Sequence, residues 1–235
     1  MKNILGTVVS VFVAGMVSSL SALAQQEPNQ LTAEEKKAGW ELLFDGESTV
    51  AWRAFGKDGF PAKGWVVADG WLTKKAGERP GNIITRKKFT DFEFSWEWRM
   101  EEGGNNGVKY FVDEKRGNLG HEYQMLANPG QKLGKGSTAS FYAVAAPALV
   151  EGIKVAPGVN RSRIVVRGDR VQHWFNGKLA LEYTCGSEEV LANVAKSKFK
   201  DVKGFGEKLT AHIMLTDHGS ECSFRNLKVR ELPAD

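Results

Sequence analysis

Two polar side chains, two positions apart in a predicted β-strand, are the first candidates for chemistry in this chain. Glu122 and Gln124 lie within Gly120–Leu126, which has the sequence GHEYQML. Successive side chains of a strand point to opposite faces of a sheet, so these two share one face. A carboxylate can move protons and an amide can hydrogen-bond hydroxyl groups. The pair therefore suits chemistry on sugars.

Two groups that could stabilise a developing negative charge are expected near this pair. Asn105 stands in the segment Gly103–Gly107 (GGNNG), a predicted loop, and could bind a substrate hydroxyl. Asn and Gly also simply suit turns. Lys109 follows in the next strand and could stabilise a developing negative charge, because donors aimed at new negative charge lower the barrier. As a surface lysine it would need no function.

Two histidines are candidates for proton transfer and substrate contact. An unperturbed imidazole titrates near neutral pH, so His218 could act as a general acid or base. Asp217 beside it could bind the substrate, although Asp-His-Gly is also good turn chemistry. His173 alternates with Val171 and Phe175, so it is either a substrate-binding residue or a histidine at the edge of the core.

Arg225, between Phe224 and Asn226, is the last candidate. Its guanidinium could bind the substrate or form a salt bridge beneath the site. We therefore predict three catalytic residues, Glu122, His218 and Lys109. The predicted substrate-binding residues are Gln124, Asn105, His173, Asp217 and Arg225.

Short strands must position these residues. The clearest is Phe92–Arg99 (FEFSWEWR), whose aromatic residues occupy alternate positions. One face of this strand is therefore expected in a core, while the other carries polar side chains. Further strands are predicted at residues 108–113, 121–126, 139–143, 212–215 and 223–231.

Turn and capping signals add to this pattern. Residues 163–183 contain two hairpin turns, Gly168-Asp169 and Asn176-Gly177, and Asn-Gly tolerates the positive φ of a type I′ turn. Thr32 with Glu35 three residues later predicts a capping box that begins a short helix. Residues 190–205 are predicted to form a loop with one helical turn.

Many short strands and one short N-terminal helix predict an all-β protein, a sandwich of two antiparallel sheets. The predicted domain organisation is a signal peptide at 1–24, a tail with a short helix at 25–38, and a single β-sandwich domain at 39–232. A sheet face and its rim loops would be the natural ligand-binding place.

The first residues have the pattern of a secretory signal. Lys2 is followed by an apolar stretch at 4–17 and by the small-x-small sequence Ala22-Leu23-Ala24. The apolar stretch is too short and too rich in small residues to predict a membrane span. No cysteine follows it, so no lipid anchor is indicated. The protein is expected to be exported, to the periplasm or the medium.

Composition excludes several classes of protein. The formal net charge is +4, and the basic residues are scattered without a nucleic-acid-binding motif. The two cysteines, Cys185 and Cys222, permit a disulfide in an oxidising compartment, but sequence cannot place them within bonding distance. Asp45, Asp217 or loop carbonyls could hold a structural Ca²⁺, yet no ligand loop with calcium spacing is present. We predict no metal and no cofactor, and the sequence does not determine the oligomeric state.

Six short motifs occur in a characteristic order, and together they resemble a known family. They are WELLFDG at 40–46, GGNNG at 103–107, EYQ at 122–124, HWFNG at 173–177, DHG at 217–219 and FRN at 224–226. The chain resembles the 3-keto-disaccharide hydrolase domain family, formerly the domain of unknown function 1080, over residues 38–232. It departs from the family pattern at Asn106, where serine is usual, and at Thr216, where glutamine is usual.

The resemblance implies a concanavalin A-like jelly-roll sandwich and activity on glycosides already oxidised at C3 of the sugar. With a ketone at C3, a base such as Glu122 or His218 could remove the acidified C2 hydrogen, and Lys109 or Asn105 could stabilise the enolate. Two alternatives remain at this point. One is a conventional glycoside hydrolase, which needs two carboxylates about 5 to 10 Å apart. The other is a non-catalytic, lectin-like carbohydrate-binding module, since fold does not fix function.

Overall fold

The protein is a sandwich of two antiparallel β-sheets in a computed structural model that describes residues 27–149 and 153–233. The predicted signal peptide at 1–24 lies outside the described residues. Within those ranges, no helix is long and apolar enough to cross a membrane.

The strands are short, as the sequence predicts. In chain order they are β1 (Glu41–Leu42), β2 (Trp52–Ala54), β3 (Trp65–Ala68), β4 (Trp71–Lys74), β5 (Ile83–Thr85), β6 (Phe92–Arg99), β7 (Asn105–Val112), β8 (His121–Leu126), β9 (Asn160–Arg167), β10 (Arg170–Phe175), β11 (Lys178–Thr184), β12 (His212–Leu215) and β13 (Cys222–Glu231).

The two sheets combine strands that are distant in sequence. The larger sheet has the order β11-β10-β9-β6-β13-β4-β3, and β1 also pairs with β13. The smaller sheet has the order β2-β5-β12-β7-β8. β13, the last strand, lies between β6 and β4, and β12 lies between β5 and β7, so the chain crosses repeatedly between the sheets. This is a jelly-roll sandwich, and the predicted fold class is confirmed.

The aromatic face of β6 forms the centre of the core. Phe94, Trp96 and Trp98 have no exposed surface. Trp96 packs edge-on against Tyr123 of the facing sheet, with ring centroids 5.0 Å apart. Burial of each such ring removes a large apolar area from water and contributes roughly 2–3 kcal/mol. The period-two pattern of β6 therefore determines which of its faces lies against the other sheet.

Helix α1 (Ala33–Lys37) begins with the predicted capping box, in which Glu35 N–H donates to Thr32 Oγ1 and Thr32 N–H donates to the Glu35 carboxylate. The prediction of a single short helix is wrong. A second helix, α2 (Glu188–Ala195), occupies part of the predicted loop at 190–205. Ser187 caps it, and Val190 and Val194, one turn apart, bury one side.

Two predicted elements differ from the structure. Residues 139–143 are not a strand, because Ala139 and Ala143 adopt positive φ angles of 65° and 63°, and only Phe141 forms isolated bridges. Residues 105–107, predicted as loop, are the first residues of β7. Their backbone pairs with β8, which overrides the turn preference of Asn and Gly.

The predicted hairpin at Asn176-Gly177 is confirmed, since both residues have positive φ (45° and 81°) between β10 and β11. The two cysteines are free and buried. Burial raises the pKa of the Cys185 thiol to about 12 and that of Cys222 well above its usual value. Both side chains therefore act as small apolar groups at neutral pH.

A chain of hydrogen bonds runs through the core between the sheets. His173 Nδ1 lies 2.9 Å from the carbonyl oxygen of Ala139, which can only accept, so Nδ1 carries the proton. Its Nε2 is 2.7 Å from the Tyr110 hydroxyl, which is 2.6 Å from the Tyr183 hydroxyl. Tyr183 is in turn 2.8 Å from His121 Nδ1. Burial lowers the pKa of His173 to about 4 and that of His121 to about 3.

These two histidines predict instability in mild acid. Their pKa values are lower in the folded state than the unfolded value of about 6.5, so the unfolded chain binds more protons as the pH falls. The free energy of unfolding should decrease between pH 6.5 and 4, by up to about 1.4 kcal/mol per pH unit for each histidine. Urea denaturation at several pH values measures this slope.

A matched pair of variants tests the cause. His173→Asn removes one titrating group, so its slope should be shallower than that of the wild type even though its stability is lower. Thr184→Ser changes an exposed side chain that does not titrate, on the strand next to that of His173, and should leave the slope unchanged. An equal slope in His173→Asn and the wild type would contradict the assignment.

Candidate active site

The outer face of the smaller sheet brings Lys109 opposite Glu122. In the register of β7 and β8, Lys109 pairs with Glu122 and Gly107 pairs with Gln124. Directly paired residues in antiparallel strands point to the same face. Tyr110 and Tyr123, which alternate with these residues along β7 and β8, occupy the opposite, inner face and pack in the core. We call the outer face at Asn105, Gly107, Lys109, Glu122 and Gln124 the β7–β8 face.

The carboxylate of Glu122 lies over the backbone of Gly107. A Cβ atom at position 107 would be 2.4 Å from Glu122 Oε1, so only glycine leaves room for this side chain. The Glu122 side chain is 7% exposed. Within the described residues it accepts no hydrogen bond, and the Lys109 ammonium is its charged neighbour at 3.9 Å. A carboxylate that is mostly buried and has spare acceptor capacity can accept a proton from a bound molecule.

Lys109 is held at one end of the β7–β8 face. Its ammonium donates to the carbonyl of Asn118 at 3.1 Å and faces Glu122. Burial lowers the pKa of Lys109; the charge of Glu122 opposes this shift, and the charge of Lys198 adds to it. The group is thus a desolvated cation beside a carboxylate, which is suited to stabilising negative charge on a ligand oxygen.

Gln124 and Asn105 form the amide part of the face. Gln124 Nε2 donates to Asn105 Oδ1 at 2.9 Å. The backbone N–H of Asn105 donates to Ser220 Oγ, which attaches the loop after β12 to the start of β7. This bond leaves the amide oxygen of Gln124 and the amide nitrogen of Asn105 free of side-chain partners among the described residues. One acceptor and one donor can therefore meet sugar hydroxyl groups.

A segment after β8 borders the face. Ala139 N–H donates to the carbonyl of Gln124, and Tyr142 N–H donates to the carbonyl of Glu122. The Lys198 ammonium lies 4.3 Å from the centre of the Tyr142 ring. Sequence reasoning missed Tyr142 and Lys198, because they come from irregular segments without a motif. It also missed Gly107, because residues 103–107 were predicted to form a loop and a loop residue would not pair with Gln124.

Asp217 and His218 follow β12 in a loop fixed by Lys74. The Asp217 carboxylate forms an ion pair with the fully buried Lys74 at 3.0 Å and accepts from the N–H of Gly81 at 2.9 Å. Lys74 also donates to the carbonyl of His218. Asp217 is therefore engaged in structure, while His218 is exposed in the same loop, two residues before Ser220, which bonds to Asn105.

Two predicted substrate-binding residues lie elsewhere. His173 is fully buried between the sheets, with both ring nitrogens engaged by Tyr110 and Ala139, so it lies in the core and not on the β7–β8 face. Arg225 lies on the outer face of the larger sheet, where its Nε donates to Glu97 at 2.8 Å. The periodicity of a single strand could not tell which of two sheets Arg225 would join.

The two positions that depart from the family pattern are in contact. Thr216 Oγ1 lies 3.1 Å from Asn106 Oδ1 and 3.0 Å from the backbone of Gly107. These contacts stabilise β7 at Gly107, over which the Glu122 carboxylate lies. Among the described residues, no group of three or more His, Cys, Asp or Glu side chains is arranged to hold a metal ion.

The sandwich and the β7–β8 face together define the structural class of this protein. The protein is a concanavalin A-like jelly roll that carries a carboxylate, a desolvated lysine and an amide pair on one sheet face. Comparison with known proteins identifies the family. Residues 39–230 match the model of the 3-keto-alpha-glucoside-1,2-lyase-like domain. The chain belongs to this family, and the resemblance drawn from its six motifs is confirmed.

Individual relatives agree with the family. A 3-keto-disaccharide hydrolase of Bacteroides thetaiotaomicron is 31% identical over 252 aligned positions, covering 92% of this chain and 86% of the relative. A crystal structure from Parabacteroides distasonis ATCC 8503, provisionally assigned as a glycosyl hydrolase, has a TM-score of 0.76 and 27% identity, covering 88% of this chain and 100% of that one. A second structure from that organism, also assigned provisionally, has a TM-score of 0.65 at 21% identity, over 82% and 99% of the two chains, and shows the fold alone.

Replacement of Gly107 tests the geometry at Glu122. In Gly107→Ala the new methyl group would overlap the carboxylate, which must rotate away because the neighbouring backbone is fixed in the sheet. We expect the variant to fold and its Glu122 side chain to be displaced in a crystal structure. Gly59→Ala is the control, since a Cβ atom there meets nothing within 4 Å. An unmoved Glu122 in Gly107→Ala would disprove the contact.

Proposed function

We propose that this protein cleaves the glycosidic bond of 3-keto-glycosides by proton abstraction at C2, with Glu122 as the base. The observation that carries the proposal is the pairing of Glu122 with Lys109 on the β7–β8 face, 3.9 Å apart and both largely buried. A base and a cation held together in a dry site can remove a proton and stabilise the enolate that results. The amide pair Gln124–Asn105 lies beside them to orient the sugar.

The proposed reaction is balanced without an oxidant. The C3 ketone acidifies the C2 hydrogen, and Glu122 takes that proton while the electrons move to the C3 oxygen beside Lys109. The enolate then expels the C1 substituent as an alcohol, which takes up a proton, and leaves a C1–C2 double bond. Water adds across this bond and gives the 3-keto sugar. The sum is hydrolysis, and His218, exposed in the loop that Ser220 attaches to Asn105, is a candidate to protonate the leaving group.

A conventional two-carboxylate glycosidase is less well supported. Asp217 is tied to Lys74 and Gly81. Glu114, beside β2, is bound by Arg53 through two hydrogen bonds, which lower its pKa to about 2. A carboxyl group with such a pKa cannot serve as the general acid that both glycosidase mechanisms need at neutral pH. Neither Asp217 nor Glu114 is therefore a suitable second carboxyl group for Glu122.

The relatives support the same substrate class. One carries the name 3-keto-disaccharide hydrolase, and the matched family model is described as 3-keto-alpha-glucoside-1,2-lyase-like. The lyase description accords with elimination at C1 and C2, and the hydrolase name accords with the overall product. We also propose that the protein acts after export, on the basis of the signal-peptide pattern at residues 1–24.

Substrate oxidation state provides the decisive assay. The protein should cleave a 3-keto-glucoside and leave the unoxidised parent glucoside intact, because only the ketone makes C2–H acidic. Incubation in D₂O should also place deuterium at C2 of the product. Glu122→Gln should lower kcat/KM by about 10²–10⁴-fold, whereas the exposed Glu78→Gln should not. Binding of both sugars without turnover of either would instead identify a lectin-like module.

The pH profile tests Lys109. If the ammonium form stabilises the enolate, kcat/KM should fall as the pH rises through the lowered pKa of Lys109, below the usual lysine value of 10.5. Lys109→Arg keeps the charge, so it should shift this alkaline limb upward while lowering the rate. Lys75→Arg, an exposed lysine, is the matched control. An alkaline limb unchanged in Lys109→Arg would remove Lys109 from the mechanism.

A further inference from the structure

The opposite face of the sandwich carries a cluster of arginines built around a buried carboxylate. Glu97, on the outer face of β6, is 5% exposed. One of its oxygens accepts from Arg161 Nε and the other from Arg225 Nε, each at 2.8 Å. The two arginines come from β9 and β13, the strands on either side of β6. Two positive charges thus meet one negative charge at this point.

The arginines keep their terminal amino groups free. Both bind Glu97 through Nε, and within the described residues their Nη atoms donate no further hydrogen bond. The side chain of Arg161 is 76% exposed. The Arg225 guanidinium lies 4.5 Å from the centre of the Trp71 ring, which restrains its plane. These are two oriented donor forks with unused capacity, the arrangement that recognises carboxylates.

Two depressions meet at this cluster. One, of about 580 Å³, lies over Ser95 and is bordered by Asn226 and Lys228. The other, of about 540 Å³, is bordered by Val159 and Asn176. Both are lined by Glu97, Arg161 and Arg225, so they form one surface depression divided at the arginines. We call it the arginine groove. Lys228 is paired with Glu35 of α1, and the exposed Glu27 borders the first depression, so the positive charge available to a ligand is that of the two arginines.

We propose that the arginine groove is a second carbohydrate site, which binds an acidic oligosaccharide through the carboxylate of a uronic acid residue. The donor forks match one carboxylate in the middle of the groove. The space on both sides is larger than a single anion needs and offers amide groups and an apolar edge, which suit neighbouring sugar residues. The site is on the larger sheet and does not depend on the proposed reaction at Glu122.

Calorimetric titration with trigalacturonic acid tests the proposal, with maltotriose as the neutral sugar of the same length. The wild type should bind the acidic trisaccharide and not the neutral one. Arg161→Gln should weaken binding at least about tenfold, since it removes one fork and leaves Arg225 to hold Glu97. Arg170→Gln is the matched control, because Arg170 is an exposed, paired arginine of the same sheet outside the groove.

Further measurements separate the alternatives. Arg161→Lys keeps the charge and loses the planar fork, so it should also bind weakly. Equal binding by Arg161→Gln and the wild type, or no binding by the wild type, would overturn the proposal. Displacement of the trisaccharide by sulfate at equal concentration would overturn it in favour of a simple anion site. All titrations are repeated with Glu122→Gln. Binding of the acidic trisaccharide as tight as in the wild type would show that the arginine groove binds it without the proposed catalytic site.

Discussion

The hydrogen bond between His173 and the carbonyl of Ala139 joins the core of the sandwich to its candidate active site. A polar chain between two apolar sheets is costly unless every member is paired. Here the Tyr110 hydroxyl, itself bonded to Tyr183, pairs with Nε2 of His173, and the Ala139 carbonyl accepts from Nδ1. Ala139 adopts a positive φ and also donates to β8, so the segment that borders the site is held by the core.

The β7–β8 face is then a local balance of charge and burial. Glu122 is accommodated only because residue 107 has no side chain, and Lys109 keeps the carboxylate from being an unpaired buried charge. In the proposed reaction the proton taken by Glu122 and the charge formed on the ketone would appear next to each other. The short distance between Glu122 and Lys109 reduces the cost of burying both charges in the folded protein, and in the proposed reaction it would also stabilise the enolate.

The carboxylates of this protein differ in what they can do because their partners differ. Glu97 and Asp217 are saturated by cations and backbone donors, and Glu114 is held ionised by Arg53. Glu122 alone among these four accepts no hydrogen bond from the described residues. A count of acidic residues could not make this distinction, since it depends on which cation each side chain meets in space.

The sequence by itself determined the all-β class, the strands β6, β8 and β10, the Asn176-Gly177 hairpin and the family. It also placed Glu122 and Gln124 at alternate positions of one strand. These features follow from local rules, the period of two along a strand and the φ angles that Asn and Gly tolerate. The irregular segment at 139–143 and helix α2 could not be predicted from such rules, because contacts with residues distant in sequence determine their conformation.

Only the tertiary structure decided which residues meet. Lys109 faces Glu122 because β7 pairs with β8 in one register, and a shift of one residue would have turned it to the core. Asp217 was engaged by Lys74, His173 was buried and Arg225 was assigned to the other sheet, all through strands distant in sequence. The physical reason is that the alternation of side chains determines locally which residues of a strand share a face. Burial of the aromatic core determines which sheet a strand joins, which strand it pairs with and in which register.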